Sequence, residues 1–503
     1  MTLVDWFLDT IALLLGLLHI WIARHFQHWE EKGVHHVAPQ PLVGSMLRLL
    51  TFSVSPAVFI QGVHEAAGSH PYIGFYIFGR PALLVRDPSL LQHILVKDFS
   101  NFTDRLTSSN KHKDPVGAAN LFCIKGNRWR QIRACITHTF STARLKIMFS
   151  RVLNSASVTR DYILERGNQP INVKDLFVRT SLDSMCSTLF GIESSTLYNS
   201  EAQFLHYGHK MMRWTPYRAL EALAHFFSPE LLNVFDTRLF ECESTEFLIN
   251  AFSEAITERE KTGLYCSDLV DSLIQLKKQL IDVSEHEVLG QAMLFFAAGF
   301  ETTSSAMAFA MYELALHPEI QDRLRTEIQE VTACHGGQVT YEGVKKMSYL
   351  DMVVSEVLRK YPPMSFIDRV CLHDYHIPGT DVVIEKGTPI FVSLLGLHRD
   401  SIFYPDPEDF NPERFNKEKK SGVHPFSYIP FGDGPRNCIG LRLGLMSVKL
   451  VIIMLLQSLR VETHESTPVP LQLSPYVLFL KNLGRLPLMF VPIGEDNVET
   501  SLA

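Results

Sequence analysis

Pro430-Phe431-Gly432-Asp433-Gly434-Pro435-Arg436-Asn437-Cys438-Ile439-Gly440 is a glycine-rich loop with one cysteine, and it opens directly into an apolar run, Leu441 to Leu459. Gly434 and Gly440 allow a sharp turn and a close backbone approach to something flat and bulky. Amides of a turn that precedes a helix point inward and favour a thiolate over a thiol. Arg436 carries a planar fork of donors matched to a carboxylate. Thiolate, guanidinium and close-approach loop together suit a haem, with iron on sulfur and propionate on guanidinium. Read alone, the loop fits a buried free cysteine after a turn equally well, the commoner fate of a single cysteine. The rest of the chain has to decide.

A length of 503 residues allows one very large domain or two to three ordinary ones, and 46% hydrophobic content supports a large core. Phe outnumbers Tyr, 33 to 15, which favours dry interiors or apolar pockets. A net charge of −7 argues against nucleic acid as a partner. The eight cysteines form no CxxC pair, which points to free thiols in a reducing compartment rather than disulfides or zinc. His-Glu pairs at His64, His286 and His464 lack the second His of a zinc-protease motif.

Trp6 to Ala23 is mostly apolar and just long enough to span a bilayer, although Asp9 and His19 weaken it. Asp5 precedes it and Arg24, His25 and Lys32 follow, so the positive-inside rule places the remainder on the cytosolic side. The expected organisation is an anchor at 1–24, a stiff proline-bearing linker at 25–45 and a globular body at 46–503. Within that body, Tyr72–Val85 reads as a hairpin turning at Gly79-Arg80-Pro81. A helix from Asn127 puts Trp129 and Arg133 on one face, able to meet the same anion. Lys125, Arg128, Arg130, Arg144 and Lys146 make this neighbourhood basic, either as a docking patch or as a solvated face. Leu220 to Phe235, an apolar stretch around a proline break, is expected to touch a membrane, roof a pocket or join the core.

From Ser284 to His317 the pattern is helical without interruption and ends at Pro318. Its centre, Phe295-Phe296-Ala297-Ala298-Gly299-Phe300-Glu301-Thr302-Thr303, breaks helix rules by placing Gly, Glu and Thr in a buried helix. Ala298 and Thr302 share a face, where a local widening is expected to admit water or a diatomic molecule. The Thr302 hydroxyl is then a proton relay, with Glu301 supplying protons from the solvent side. The bland alternative is a Thr bonded back to its own helix. Further on, Ser348–Lys360 reads as a helix with Glu356 and Arg359 close enough to pair, and Asn411-Pro412-Glu413-Arg414-Phe415 offers a third member of a buried lock. Tyr476–Leu480 and Leu488–Val491 are expected to pair as strands.

In this order the pieces resemble the cytochrome P-450 superfamily over essentially the whole chain. The signature Phe-x-x-Gly-x-Arg-x-Cys-x-Gly is complete at Phe431, Gly434, Arg436, Cys438 and Gly440. The acid-Thr motif, the Glu356/Arg359 pair, Arg414 in Pro-Glu-Arg-Phe and Trp129/Arg133 match as well. Phe300-Glu301-Thr302-Thr303-Ser304, Thr139-Phe140-Ser141 and the segment from Phe431 to Arg442 are most similar to the microsomal clan, and within it to the sixth, insect family of xenobiotic-metabolising enzymes. The family's Pro-Gly-Pro linker is altered here to Val37-Ala38-Pro39, and Leu443 stands where Phe is usual.

The resemblance implies a mainly α fold with a smaller β region and a haem b between the long helix and the Cys loop. Cys438 would be the proximal iron ligand, and Trp129, Arg133, Arg369 and Arg436 propionate partners. Phe431, Gly440 and Ala298 would line the cofactor, and Thr302 and Glu301 would be catalytic. It also implies a monooxygenase on the endoplasmic reticulum membrane, with a lipophilic substrate and electrons from an NADPH-cytochrome reductase or cytochrome b5. That reductase would dock near Arg128, Arg130 and Arg442. No nucleotide fingerprint is present, since Gly432-Asp433-Gly434 fails GxGxxG at Asn437. Two other readings stay open: a haem-thiolate isomerase or dehydratase, and a non-enzymatic membrane haem sensor.

Overall fold

The computed structural model describes residues 26–416 and 424–493, together with Trp6, Phe7, Asp9, Thr10, Leu13 and Gly16. The segment expected as an anchor, 1–24, therefore lies outside the described residues apart from those six. Among the described residues no helix is long and apolar enough to cross a membrane.

Among the described residues, nine strands form three sheets. The largest has the order β1 (Tyr72–Ile77), β2 (Arg80–Val85), β7 (Pro389–Ser393), β4 (Phe366–Val370), antiparallel except for β2 against β7. The predicted hairpin is present, but its turn is Phe78-Gly79, with Phe78 at φ +52°, and Arg80 and Pro81 already belong to β2. The parallel pairing of Leu83 and Leu84 with Ile390 and Phe391 joins segments about three hundred residues apart, which no local pattern signals. β3 (Ile171–Asn172), β9 (Pro487–Pro492) and β8 (Leu459–Thr463) make the second sheet, in that order, and β5 (Tyr375–His376) with β6 (Val383–Ile384) the third. Tyr476–Leu480 is not a strand. β9 pairs instead with β3 and with β8, Leu459–Thr463, of which only Leu459 fell in the apolar run that opens at Leu441.

The stretch 25–45, expected to be a stiff spacer, is laid along β1 from Phe26 onward. Trp29 is fully buried and stands against Gly74, where a Cβ would come within 2.5 Å of the indole. Backbone bonds from Gly74 N to His35 O (2.8 Å) and from Ser45 N to Tyr76 O (2.8 Å) stitch it down. A buried Trp and paired backbone groups make this part of the globular body.

The helices that frame the site are α1 (Pro56–Ala66), α2 (Gly126–Thr137), α3 (Thr142–Arg166), α4 (Val173–Met185), α5 (Gln203–Met211), α6 (Pro216–Phe227), α7 (Cys242–Thr262), α8 (Leu269–Gln279), α9 (Glu285–Leu316), α10 (Pro318–Ala333), α11 (Ser348–Lys360) and α12 (Leu441–Leu456). α9 runs through the core against α4 and α12. Ser284 and Glu287 cap it reciprocally, which satisfies two orphan amides. It is α-helical throughout, so the expected widening near Gly299 is not observed. A Cβ on Gly299 would lie 2.2 Å from Met185 Cε; the glycine makes room for the neighbouring helix.

Candidate active site

The Cys loop folds on itself before α12 begins. Gly432 and Gly434 adopt φ of +70° and +73°, which L residues resist. Gly434 is also tight against Leu95 O, 1.9 Å from where a Cβ would sit. Gly440 has ordinary φ, −88°, but the space before its missing Cβ is open. Cys438 N donates to Phe431 O at 2.9 Å, which closes the loop. The Cys438 sulfur is open to a cavity of ≈ 400 Å³. Burial pushes its thiol pKa up; the Gly440 and Leu441 amides and the Arg133 charge pull the other way without overcoming it.

A buried lock holds this loop from behind. Arg359 Nε and Nη2 grip the two Glu356 oxygens at 2.7 and 2.9 Å, with both residues fully buried. Asn411 N donates to Glu356 at 2.8 Å, and Arg414 Nε lies 3.4 Å from it. Arg359 Nη1 then reaches His398 O at 2.9 Å. His398 Nε2 accepts Ile429 N at 3.1 Å, one residue before the Cys loop. Burial and the Arg359 charge pull His398 down to about 3, so it stays neutral and can accept. Sequence reading found the lock but missed this histidine, whose partner Ile429 lies thirty-one residues further along.

Arg105, Arg133, Arg369 and Arg436 line the cavity, and no carboxylate does so among the described residues. Arg133 forks the Asn437 carbonyl (3.0 Å) and side-chain oxygen (2.9 Å). Arg436 lies over the Trp129 ring, 4.7 Å from its centre, and donates to Ile124 O. Arg369 donates to its neighbour's carbonyl, Asp368 O, at 2.7 Å. Arg369 Nε, Arg436 Nε and Arg436 Nη1 are buried without partners. Burial and the Arg105 charge bring Arg436 down to about 9 and hold Arg369 well below its ordinary value. Arg105 pairs with buried Asp368 at 3.1 Å; it was not singled out in the sequence because nothing local marks it.

On the facing side, Ala298 and Thr302 line the same cavity. Thr302 Oγ1 donates to Ala298 O at 2.7 Å, so the hydroxyl both faces the cavity and bonds to its own helix. Glu301 corrects the expectation of solvent access: it is 3% exposed, does not line the cavity, and pairs with buried Lys174 at 3.0 Å. One residue along a helix turns the side chain by about 100°, which here carries Glu301 off the cavity face while Thr302 stays on it. In the basic patch, Arg128 is committed to Glu287 and Lys146 to Glu342, whereas Arg130 and Lys125 are exposed.

Clustered guanidinium groups without a carboxylate on the cavity call for a multiply anionic ligand, and a thiol open to that cavity suits a soft metal. These residues fit a haem. The comparisons agree: the Cytochrome P450 family model matches residues 35–488. Cytochrome P450 6k1 of Blattella germanica is 41% identical over 96% of both chains. Cytochrome P450 6j1 of the same organism is 36% identical over 93% of this chain and 94% of its own, and cytochrome P450 6a2 of Drosophila melanogaster 35% identical over 94% and 96%. The chain belongs to the cytochrome P450 family of haem-thiolate monooxygenases.

Proposed function

We propose that this enzyme inserts one oxygen atom from O2 into lipophilic small molecules: xenobiotics such as plant toxins or insecticides, or endogenous lipids and hormones. The observation that carries this reading is the convergence of Cys438, the arginine cluster and the Ala298–Thr302 face on one largely apolar cavity. Cys438 would hold the haem iron. Trp129, Arg133, Arg369 and Arg436, joined by Arg105, would hold its propionates, and Phe431, Gly440 and Ala298 would bound it. The bound haem supplies reductive activation of O2, with thiolate donation favouring O–O cleavage.

The protein's own part is to exclude water and place a proton. Thr302 and Thr303 are the hydroxyl residues of α9 that line the cavity; by rotating off Ala298 O, Thr302 Oγ1 would donate into that space. Glu301 would act as the acid behind it, reaching the relay only by leaving Lys174, while Lys481, 4.0 Å away and 31% exposed, connects it toward the surface. Electrons would come from an NADPH-dependent reductase, with cytochrome b5 as a second donor. Docking would use Arg130 and Arg442, which are exposed, rather than Arg128. An anchor at 1–24 would hold the body on the cytosolic face of the endoplasmic reticulum. Val234 and Phe235, 72% and 56% exposed, would meet the lipid surface, whereas Phe226 roofs the cavity and Phe227 joins the core.

The test is reconstitution with NADPH and a reductase under 18O2. One labelled oxygen in a lipophilic probe, lost together with haem in Cys438→Ala, is expected. NADPH-independent product without label would replace the monooxygenase reading by the isomerase one.

A further inference from the structure

Gln291, nearly two turns into α9, is fully buried, an unusual place for a primary amide. All three of its side-chain hydrogen bonds go to backbone. Oε1 accepts Leu121 N at 2.8 Å, and Nε2 donates to Ala119 O and to Glu287 O, both at 2.7 Å. Pairing with the carbonyl of residue 119 and the amide of residue 121 is what a neighbouring strand would do. The adjacent Gly290 lets the same segment approach: a Cβ there would lie 2.8 Å from Val116 O and 3.2 Å from Asn120 N.

The segment so held carries three groups that matter to the site. Leu121 and Phe122 line the cavity, and Ile124 O accepts Arg436 of the Cys loop. Phe122 is further pinned between Arg105, 4.1 Å above its ring, and Phe226 of α6 at 6.0 Å. Asn120 completes the turn by accepting Phe122 N and Cys123 N at 2.9 and 3.1 Å. Loops over binding sites usually owe their shape to surface contacts and move; this one is fastened from inside the core.

We infer that Gln291 is a positioning residue: by clamping 119–121 to α9 it sets where Leu121 and Phe122 stand, and thereby which carbon of a bound lipophile is presented for oxidation. The product part of this inference rests on the monooxygenase reading; the clamp itself does not.

The experiment uses the haem-loaded, full-length protein and hexylbenzene as probe. In Gln291→Leu the two backbone groups lose their partner, so amide exchange across 116–124 should quicken about tenfold, the effect of losing a buried hydrogen bond or two. Hexylbenzene affinity should fall, and the ratio of benzylic to terminal hydroxylation should change at least threefold. Gln291→Glu keeps the acceptor for Leu121 N but no donor, and should fall between. Gly290→Ala, which crowds Val116 O, should shift the same ratio without touching the amide. A purely structural glutamine would lower thermal stability while leaving the ratio unchanged, and that result, or unchanged exchange in 116–124, would overturn the proposal. Absence of any product from wild type would count against the monooxygenase reading, and exchange and affinity would then decide the clamp.

Discussion

Two buried glutamates, each on a helix and each held by a base, behave differently. Glu356 is surrounded: both oxygens are taken by the Arg359 fork, and Asn411 N and Arg414 add to them. Arg359 extends the network to His398 O and Asp409 O, so the ion pair joins α11 to the segments that carry the Cys loop. Glu301 faces Lys174, whose ammonium also donates to Ser304 and Ser305 at 2.9 and 2.8 Å, with Lys481 in reserve. Burial and nearby Lys481 work against the Lys174 charge, Glu301 supports it, and its pKa is lowered. A planar fork fixes geometry, whereas an ammonium is a point charge that its partners can leave. The first pair suits a lock and the second suits a group that has to move.

That contrast can be broken by substitution. Glu356→Ala leaves buried Arg359 and half-buried Arg414 without their carboxylate and should cost about 3–5 kcal/mol, read by denaturant titration, with poor haem retention. Lys174→Met should cost less, about 2–3 kcal/mol, because Lys481 can close on Glu301. Double replacement separates them further. Lys174→Met with Glu301→Leu should recover most of the loss, as apolar exchange of a buried pair often does. Glu356→Leu with Arg359→Met should not, since His398 O, Asp409 O and Asn411 N lose their partners too. Equal recovery in both would erase the distinction.

His398 ties the lock to pH. Its folded pKa, about 3, lies below the unfolded 6.5, so the unfolded chain binds the extra proton between those values. Stability should therefore fall as pH drops from about 6.5 toward 3, by up to about 1.4 kcal/mol per pH unit. His398→Gln should flatten that slope. Thr302→Ala should change stability least, by about 1 kcal/mol or less, since its hydroxyl bonds only within its own helix. It should keep haem yet divert electrons to hydrogen peroxide, measured as peroxide released per NADPH; normal coupling would remove Thr302 from proton delivery.

Much of this was legible along the chain because it is local. Caps, turn glycines and the i,i+3 spacing of Glu356 and Arg359 act within a few residues, so α9, α11 and the Cys loop could be read directly. Even Arg436 was reachable through a known signature, and Arg369 through the family resemblance. Arg105, His398, Gln291 and Lys174 were not, because each acquires its role from a partner more than thirty residues away. The same holds for β8, whose pairing with β9 only the folded chain supplies.

By itself, then, the sequence determined the helical frame, the cysteine on its loop and the family, since these depend on short-range periodicity and on residue types with few alternative uses. The tertiary structure decided which face of α9 meets the cavity, that Glu301 points away from it to Lys174, and that Gln291 fastens the wall carrying Leu121 and Phe122. Those outcomes depend on the angular phase of a helix and on burial, and burial is set by neighbours that the sequence brings together only when the chain is packed.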